Sequence, residues 1–497
     1  MKNLKKIFLL TLIAGMVYSC DDAYEIIQPG EYAEEVAILN LTDMNLALSE
    51  IYDNIGGEDE IAFTSVFTDE TAIGDENGGQ NLDEYRFQVF ASNEYASGIW
   101  LENYRVINYV NRLIKESDNV VLDPESETYE DDLQEKNRIL TEARVIRAFC
   151  HFKLLTYFST DLKNDSALGV IIVDDVPPSP PNLLQKPRAT NGEVFAFIDQ
   201  DLDFAEQNLS SLANNGAVLV RPVFITGLRA RIAAYRGLYS EALTYSSAIV
   251  DNPGTGALTS TLNAYKQIWT DAALTEQIFS LERPTGKTTI GSNWFFNTTS
   301  LSGGAFLDMS RTLYNELVES DDFRVEAFVD PSSLIAEDYA TVFDYRNADV
   351  IVIDKYPGVP NLPLNNRVKV MRTVEMYFIK AEAEVAAGNL AGALTTLNKV
   401  RTARSADLYP AFENAQAAWK AILDERRLEL CFEGHRYIDL KRLGAAAGVS
   451  GVDRYVRDCS PYNACELSIT DYRFTLPIPL DEINGNNAIQ GQQNPGY

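Results

Sequence analysis

The stretch Asp424–Arg442 reads DERRLELCFEGHRYIDLKR. Its first half has helical form: Ile422, Leu423, Leu430 and Phe432 are apolar, and Glu425 and Glu429 stand one turn apart on one face. Gly434 is placed to stop that helix, because glycine tolerates the left-handed conformation that follows a helix end. Beyond it, His435, Arg436, Asp439, Lys441 and Arg442 are interleaved with Tyr437, Ile438 and Leu440. Charges so embedded among large apolar residues persist only when paired and hydrogen-bonded. The pattern predicts a structural ion-pair network of Glu425, Arg426, Glu429, Glu433, Arg436 and Asp439 that clasps this helix to its neighbours. The competing reading is catalytic, with Glu425, Glu429 or Glu433 and His435 as an acid–base set. Structural networks also produce such clusters, and no catalytic motif accompanies this one.

Outward from this stretch the chain reads as mostly helical. Leu39, Leu41, Leu46, Leu48 and Ile51 share one face, as do Trp100, Tyr104, Ile107, Val110 and Ile114. Leu140 to Phe158 forms another long helix, with His151 and Cys150 as core or helix-face residues. Between Arg221 and Asp251 two helical faces flank Gly237, and AAYRGLYSEAL resembles a tetratricopeptide repeat. A second such pair spans Arg372 to Arg404, turning at Gly388-Asn389. The two units are too far apart for a plain solenoid, so long insertions interrupt the scaffold. The scaffold is placed at about 36–252 and 371–445 and a loop-rich insertion at about 253–370. A C-terminal tail follows at 446–497. Strand-like pieces fall at Gln277 to Leu281, Asp349 to Ile353 and Arg367 to Met371. Asp174 to Pro187 is proline-rich and reads as a rigid surface segment.

Composition narrows the function. With 497 residues, 46% of them hydrophobic, the chain can bury a large core. Its 72 acidic residues outnumber 42 basic ones, a net charge of −30. That excludes the basic footprint a nucleic-acid partner requires and favours neutral or cationic ligands. Five cysteines without a CxxC pair, and only two histidines, argue against a Cys/His zinc site, and no cofactor is implied. The acidic stretch Thr68 to Gln80 lacks EF-hand spacing and reads as a solvated loop.

Residues 1–19 have signal-peptide form: Lys2, Lys5 and Lys6, then an apolar run from Ile7 to Val17 that is too short to span a membrane. The run ends at Ser19-Cys20, followed by Asp21 and Asp22. This resembles a bacterial lipoprotein signal, with cleavage before Cys20 and lipid on its thiol. Tyr18 departs from the strict lipobox pattern. In the oxidising compartment this implies, Cys459 and Cys465 are expected to pair; two free thiols is the other reading.

The motifs now carry a family resemblance. Glu425-Arg426, Glu429-Leu430, Phe432-Glu433-Gly434-His435-Arg436 and Asp439-Leu440-Lys441-Arg442 resemble the C-terminal signature of SusD/RagB-type outer-membrane nutrient-binding lipoproteins. The Trp100, Tyr104, Ile107 pattern, the Glu142–Ala148 segment, LPIP and Gln493–Tyr497 match the same family. The resemblance implies a single domain over 20–497, anchored by lipid at the cell surface. It further implies that an oligosaccharide or peptide is captured and passed to a SusC-type TonB-dependent transporter. Sugar binding needs flat aromatic faces together with amides, carboxylates and arginines. On this basis Trp294, Phe296, Tyr85, Arg86 and Asp69 are the expected ligand contacts, with Trp294 as the main platform. Trp294, Phe295 and Phe296 lie in a glycine-bounded run without core periodicity, inside the longest insertion. Two other classes stay open: a glycoside hydrolase, which needs two carboxylates about 5–9 Å apart, and an interaction scaffold for the transporter without a ligand of its own.

Overall fold

A computed structural model describes residues 38–176, 185–213, 216–295 and 304–497. Its longer helices are α1 (Leu41–Asp53), α2 (Glu58–Phe67), α3 (Glu94–Glu116), α4 (Tyr129–Phe158), α5 (Asn191–Gln207), α6 (Pro222–Arg236) and α7 (Tyr239–Val250). They continue with α8 (Leu262–Trp269), α9 (Arg311–Glu319), α10 (Thr373–Ala386), α11 (Leu390–Arg404), α12 (Ala415–Leu430) and α13 (Arg436–Ala447). The fold is mostly helical. Helices pack as neighbours: α3 on α4, α4 on α5, α6 on α7, α7 on α10, α10 on α11 and α12, and α12 on α13. The repeat-like pairs are thus consecutive in space although 253–370 separates them in sequence.

Local chemistry sets the helix ends. Thr190 and Glu193 form a reciprocal capping box at the start of α5. Pro222 occupies the first turn of α6, where its missing N–H costs nothing, and Gly237 closes it in the left-handed region with φ 75°. Phe224, Leu228, Ile232 and Tyr235 form the buried stripe of α6. Gly227 lets that helix lie against the sheet: a Cβ there would come within 2.5 Å of the Met371 sulfur.

The strands are short and antiparallel. β1 (Thr71–Ile73) pairs with β3 (Leu307–Met309), and β2 (Gln277–Leu281) with β6 (Val368–Arg372). β4 (Gly358–Val359) pairs with β5 (Leu362–Pro363), and β7 (Gly451–Asp453) with β8 (Glu466–Ser468). Asp349 to Ile353, expected as a strand, makes only isolated bridges through Val350 and Ile353.

The 424–442 stretch lies at the centre of this packing. Glu429 is fully buried and accepts from Tyr265 Oη at 2.9 Å, Arg372 Nη1 at 2.9 Å and Arg404 Nε at 3.0 Å, with Arg324 Nη1 at 3.3 Å. Glu425 pairs with Arg401 at 2.6 Å and Arg324 at 2.7 Å. Glu433 receives Arg372 and Lys355, each at 2.8 Å. Arg426 and Arg442 both hold Asp439. Burial pushes the Glu433 carboxyl up, but Arg372 and Lys355 outweigh it and hold it at about 2. His435 is pushed down to about 4 by burial, so it is neutral at pH 7.

The helix does not run to Gly434. It ends at Leu430, and Phe432 turns the chain first with φ 60°, followed by Gly434 at φ 81°. The reason is tertiary. Lys355 Nζ donates to the carbonyls of Glu429 and Cys431, both at 2.8 Å, and Arg372 Nη2 donates to that of Glu429 at 3.0 Å. These cations satisfy the carbonyls that a helix end leaves open. The Phe432 N–H is satisfied by Glu70 Oε1 at 3.2 Å.

Candidate ligand-binding site

Four of the five expected ligand contacts lie among the described residues, and three of those four are core. Trp294 is 1% exposed. Its indole N–H donates to Ser65 Oγ at 3.2 Å, its ring stacks near Tyr356 at 6.1 Å and meets Phe432 edge-on at 5.4 Å. The expectation of a Trp294 platform is therefore corrected: glycines and amides in its own segment hid a partner set supplied by distant segments. Asp69 is buried in a bidentate pair with Arg436, at 2.8 and 2.7 Å, and cannot reach a sugar. Tyr85 is buried, its hydroxyl donating to the Asp458 carbonyl at 3.1 Å. Arg86 is exposed. Phe296 and Cys20 lie outside the described residues.

Tyr85 and Arg86 nevertheless lead to a surface of aromatic rings and guanidiniums. The Tyr462 ring stands edge-on over Tyr85 at 5.4 Å, and the Arg86 guanidinium lies 5.8 Å from the Tyr462 centroid. Arg346, from the far side of the chain, lies 5.5 Å from the same ring and donates to Tyr345 Oη at 3.4 Å. Arg86, Tyr345, Arg346 and Tyr462 thus converge from three separate short helical turns, all half-buried or exposed. Phe343, fully exposed, follows Val342 at the rim.

Beneath them the support is rigid. Arg454 is buried and lies 3.9 Å over the Tyr85 ring. It donates to the carbonyls of Val66, Phe67 and Thr68 at the C-terminal end of α2, and to those of Tyr85 and Ala464. A cation there complements the negative end of the helix dipole. Arg457 holds the carbonyls of Tyr339 and Val342 at 2.6 and 2.8 Å and lies 4.7 Å over the Tyr345 ring. Asp458 accepts from Tyr339 Oη and from the Arg311 N–H at 3.1 Å. Burial pushes its carboxyl up to about 6. Cys459 and Cys465 are joined by a disulfide, which closes the short ring that presents Tyr462. Sequence reasoning missed Tyr345, Arg346 and Tyr462; the available signal was a tyrosine held between two paired cysteines.

Among the described residues no group of three His, Cys, Asp or Glu side chains could hold a metal ion, and no helix is long and apolar enough to cross a membrane.

Two family models match this chain. The one for the SusD family covers residues 362–497, and one described as starch-binding and associating with the outer membrane covers residues 34–226. The chain is a SusD-like protein. SusD-like protein P2 of Formosa agariphila is 24% identical over the whole of both chains. SusD-like protein P25 of the same organism is 31% identical over 33% of this chain and 34% of its own. A SusD superfamily protein of Bacteroides thetaiotaomicron shares the fold with a TM-score of 0.74, at 24% identity over 92% of this chain and all of that one. A laminarin-binding SusD-like protein has a TM-score of 0.68 at 21% identity, covering 93% of this SusD-like chain and all of its own.

Proposed function

We propose that this SusD-like protein captures an oligosaccharide at the cell surface on the Tyr345–Tyr462 patch and passes it to a SusC-type TonB-dependent transporter. A peptide is the second ligand class open to such a protein. The observation that carries the reading is a pair of half-exposed tyrosines on converging segments: Tyr345 lies under the Arg457 guanidinium, and Tyr462 stands on the Tyr85 ring that buried Arg454 covers. Aromatic rings supply the apolar contact a sugar face needs, and fixed rings lose little entropy on binding. The family description, starch-binding and associating with the outer membrane, supports it, as does the laminarin-binding neighbour. Lipid on Cys20 is the proposed anchor, and residues 20–497 the proposed single domain.

The carboxylates of the 425–439 network are engaged by arginines and lysine away from solvent, which supports binding without hydrolysis. The test is a panel of glycans, starch and laminarin included, presented to the protein lacking residues 1–20. Saturable binding without new reducing ends is expected. Accumulating reducing ends would favour a hydrolase. A transporter recovered from outer membranes with a protein that binds no glycan or peptide would favour the scaffold.

A further inference from the structure

On the proposal that the Tyr345–Tyr462 patch is the glycan site, we infer that its ligand is an anionic glycan, bearing carboxylate or sulfate groups. Arg86 and Arg346 both approach the Tyr462 ring, at 5.8 and 5.5 Å. Among the described residues neither forms an ion pair; the Arg86 guanidinium has the ring contact, and Arg346 adds bonds to the Tyr345 and Tyr462 side chains. Partners are not scarce in a chain with 72 acidic residues. On another surface Arg229 gathers Asp199, Asp203 and Glu206 at once. The carboxylate whose charge acts on Arg346 is Asp75, just after β1, and among the described residues the two form no ion pair.

Two guanidiniums without carboxylates, set around a half-exposed aromatic ring, form a fork donor array beside an apolar face. That combination suits a sugar ring carrying an anionic substituent, since guanidinium matches planar carboxylate and sulfate oxygens with paired donors. The overall charge of −30 opposes polyanions at long range. At physiological salt that field is screened beyond about 8 Å, so the local arginines decide the contact. The acidic composition alone pointed the opposite way, to neutral or cationic ligands; the placement of two arginines reverses it at this surface.

The experiment measures binding of the soluble protein to polygalacturonate, dextran sulfate, laminarin and starch by calorimetry at two salt concentrations. It is repeated with Arg86→Gln, Arg346→Gln and the double variant, each checked by a melting curve. Binding to polygalacturonate or dextran sulfate is expected to weaken as salt rises and to fall at least tenfold in the double variant. Which of the two binds tells carboxylate from sulfate. Equal affinity in wild type and double variant, or binding to laminarin or starch alone, would overturn the anionic assignment while leaving the glycan-binding reading intact. Binding to none of the four by the folded protein would overturn the anionic assignment, and the wider glycan and peptide panel then decides the reading beneath it.

Discussion

Glu429 illustrates how single residues carry this fold. It sits without exposure among Arg324, Arg372 and Arg404. Glu429→Ala would leave these cations short of a partner, a loss on the order of 3–5 kcal/mol for a buried pair. A urea melt should show it, while ligand affinity of the folded fraction stays at the wild-type value. Unchanged stability with altered turnover of a glycan would instead make Glu429 catalytic. Trp294→Ala should likewise lower stability, by about 3–5 kcal/mol for a buried aromatic, and leave affinity unchanged; the reverse pattern would restore it as a platform. Glu70 gives a pH signature. Burial and the neighbouring Asp69 anion push its carboxyl up to about 8. Between about 4.5 and 8 the unfolded chain ionises this group while the folded protein keeps its proton. Its contribution to stability therefore falls as pH rises through that window and is constant above it. Glu70→Gln keeps an acceptor for the Phe432 N–H without the ionisation. It should match wild type near pH 4.5 and gain on the order of 3 kcal/mol by pH 7. A gain independent of pH would contradict the placement of Glu70.

At the scale of elements, what could be read from sequence was what neighbours in sequence determine. The α6–α7 and α10–α11 pairs follow from apolar spacing and from Gly237 and Gly388, all local. The end of α12 was not readable at Gly434, because its carbonyls are capped by Lys355 and Arg372 from far upstream. Trp294 was misread for the same reason: its core is Ser65, Tyr356 and Phe432. The proposed ligand patch was half legible. Tyr85 and Arg86 pointed to it, while Tyr345 and Tyr462 reach it only through the folds of two other loops. The Cys459–Cys465 ring belongs to this scale. Its loop is small, so Cys459→Ser with Cys465→Ser should cost about 2 kcal/mol or less globally. It should loosen the Tyr462 turn and weaken glycan binding several-fold. Calorimetry beside melting curves separates the two effects; wild-type affinity in the double variant would show that the ring does not hold the site.

For the whole molecule, a buried ionic centre holds a helical scaffold that carries one aromatic surface, and lipid on Cys20 is the proposed tether. Cys20→Ala should move the protein from the membrane fraction to the soluble one, and continued lipid labelling of that variant would refute the anchor. The surface itself is tested through Tyr462, a half-exposed ring at the edge of the core that meets Tyr85 edge-on. The decisive measurement is the affinity of folded Tyr462→Ala for the glycan the wild-type protein binds. Loss of the central aromatic anchor should cost about 2 kcal/mol or more, at least a tenfold weaker Kd, with the melting temperature nearly unchanged. Wild-type affinity in a well-folded Tyr462→Ala protein would contradict the assignment of this surface as the ligand site.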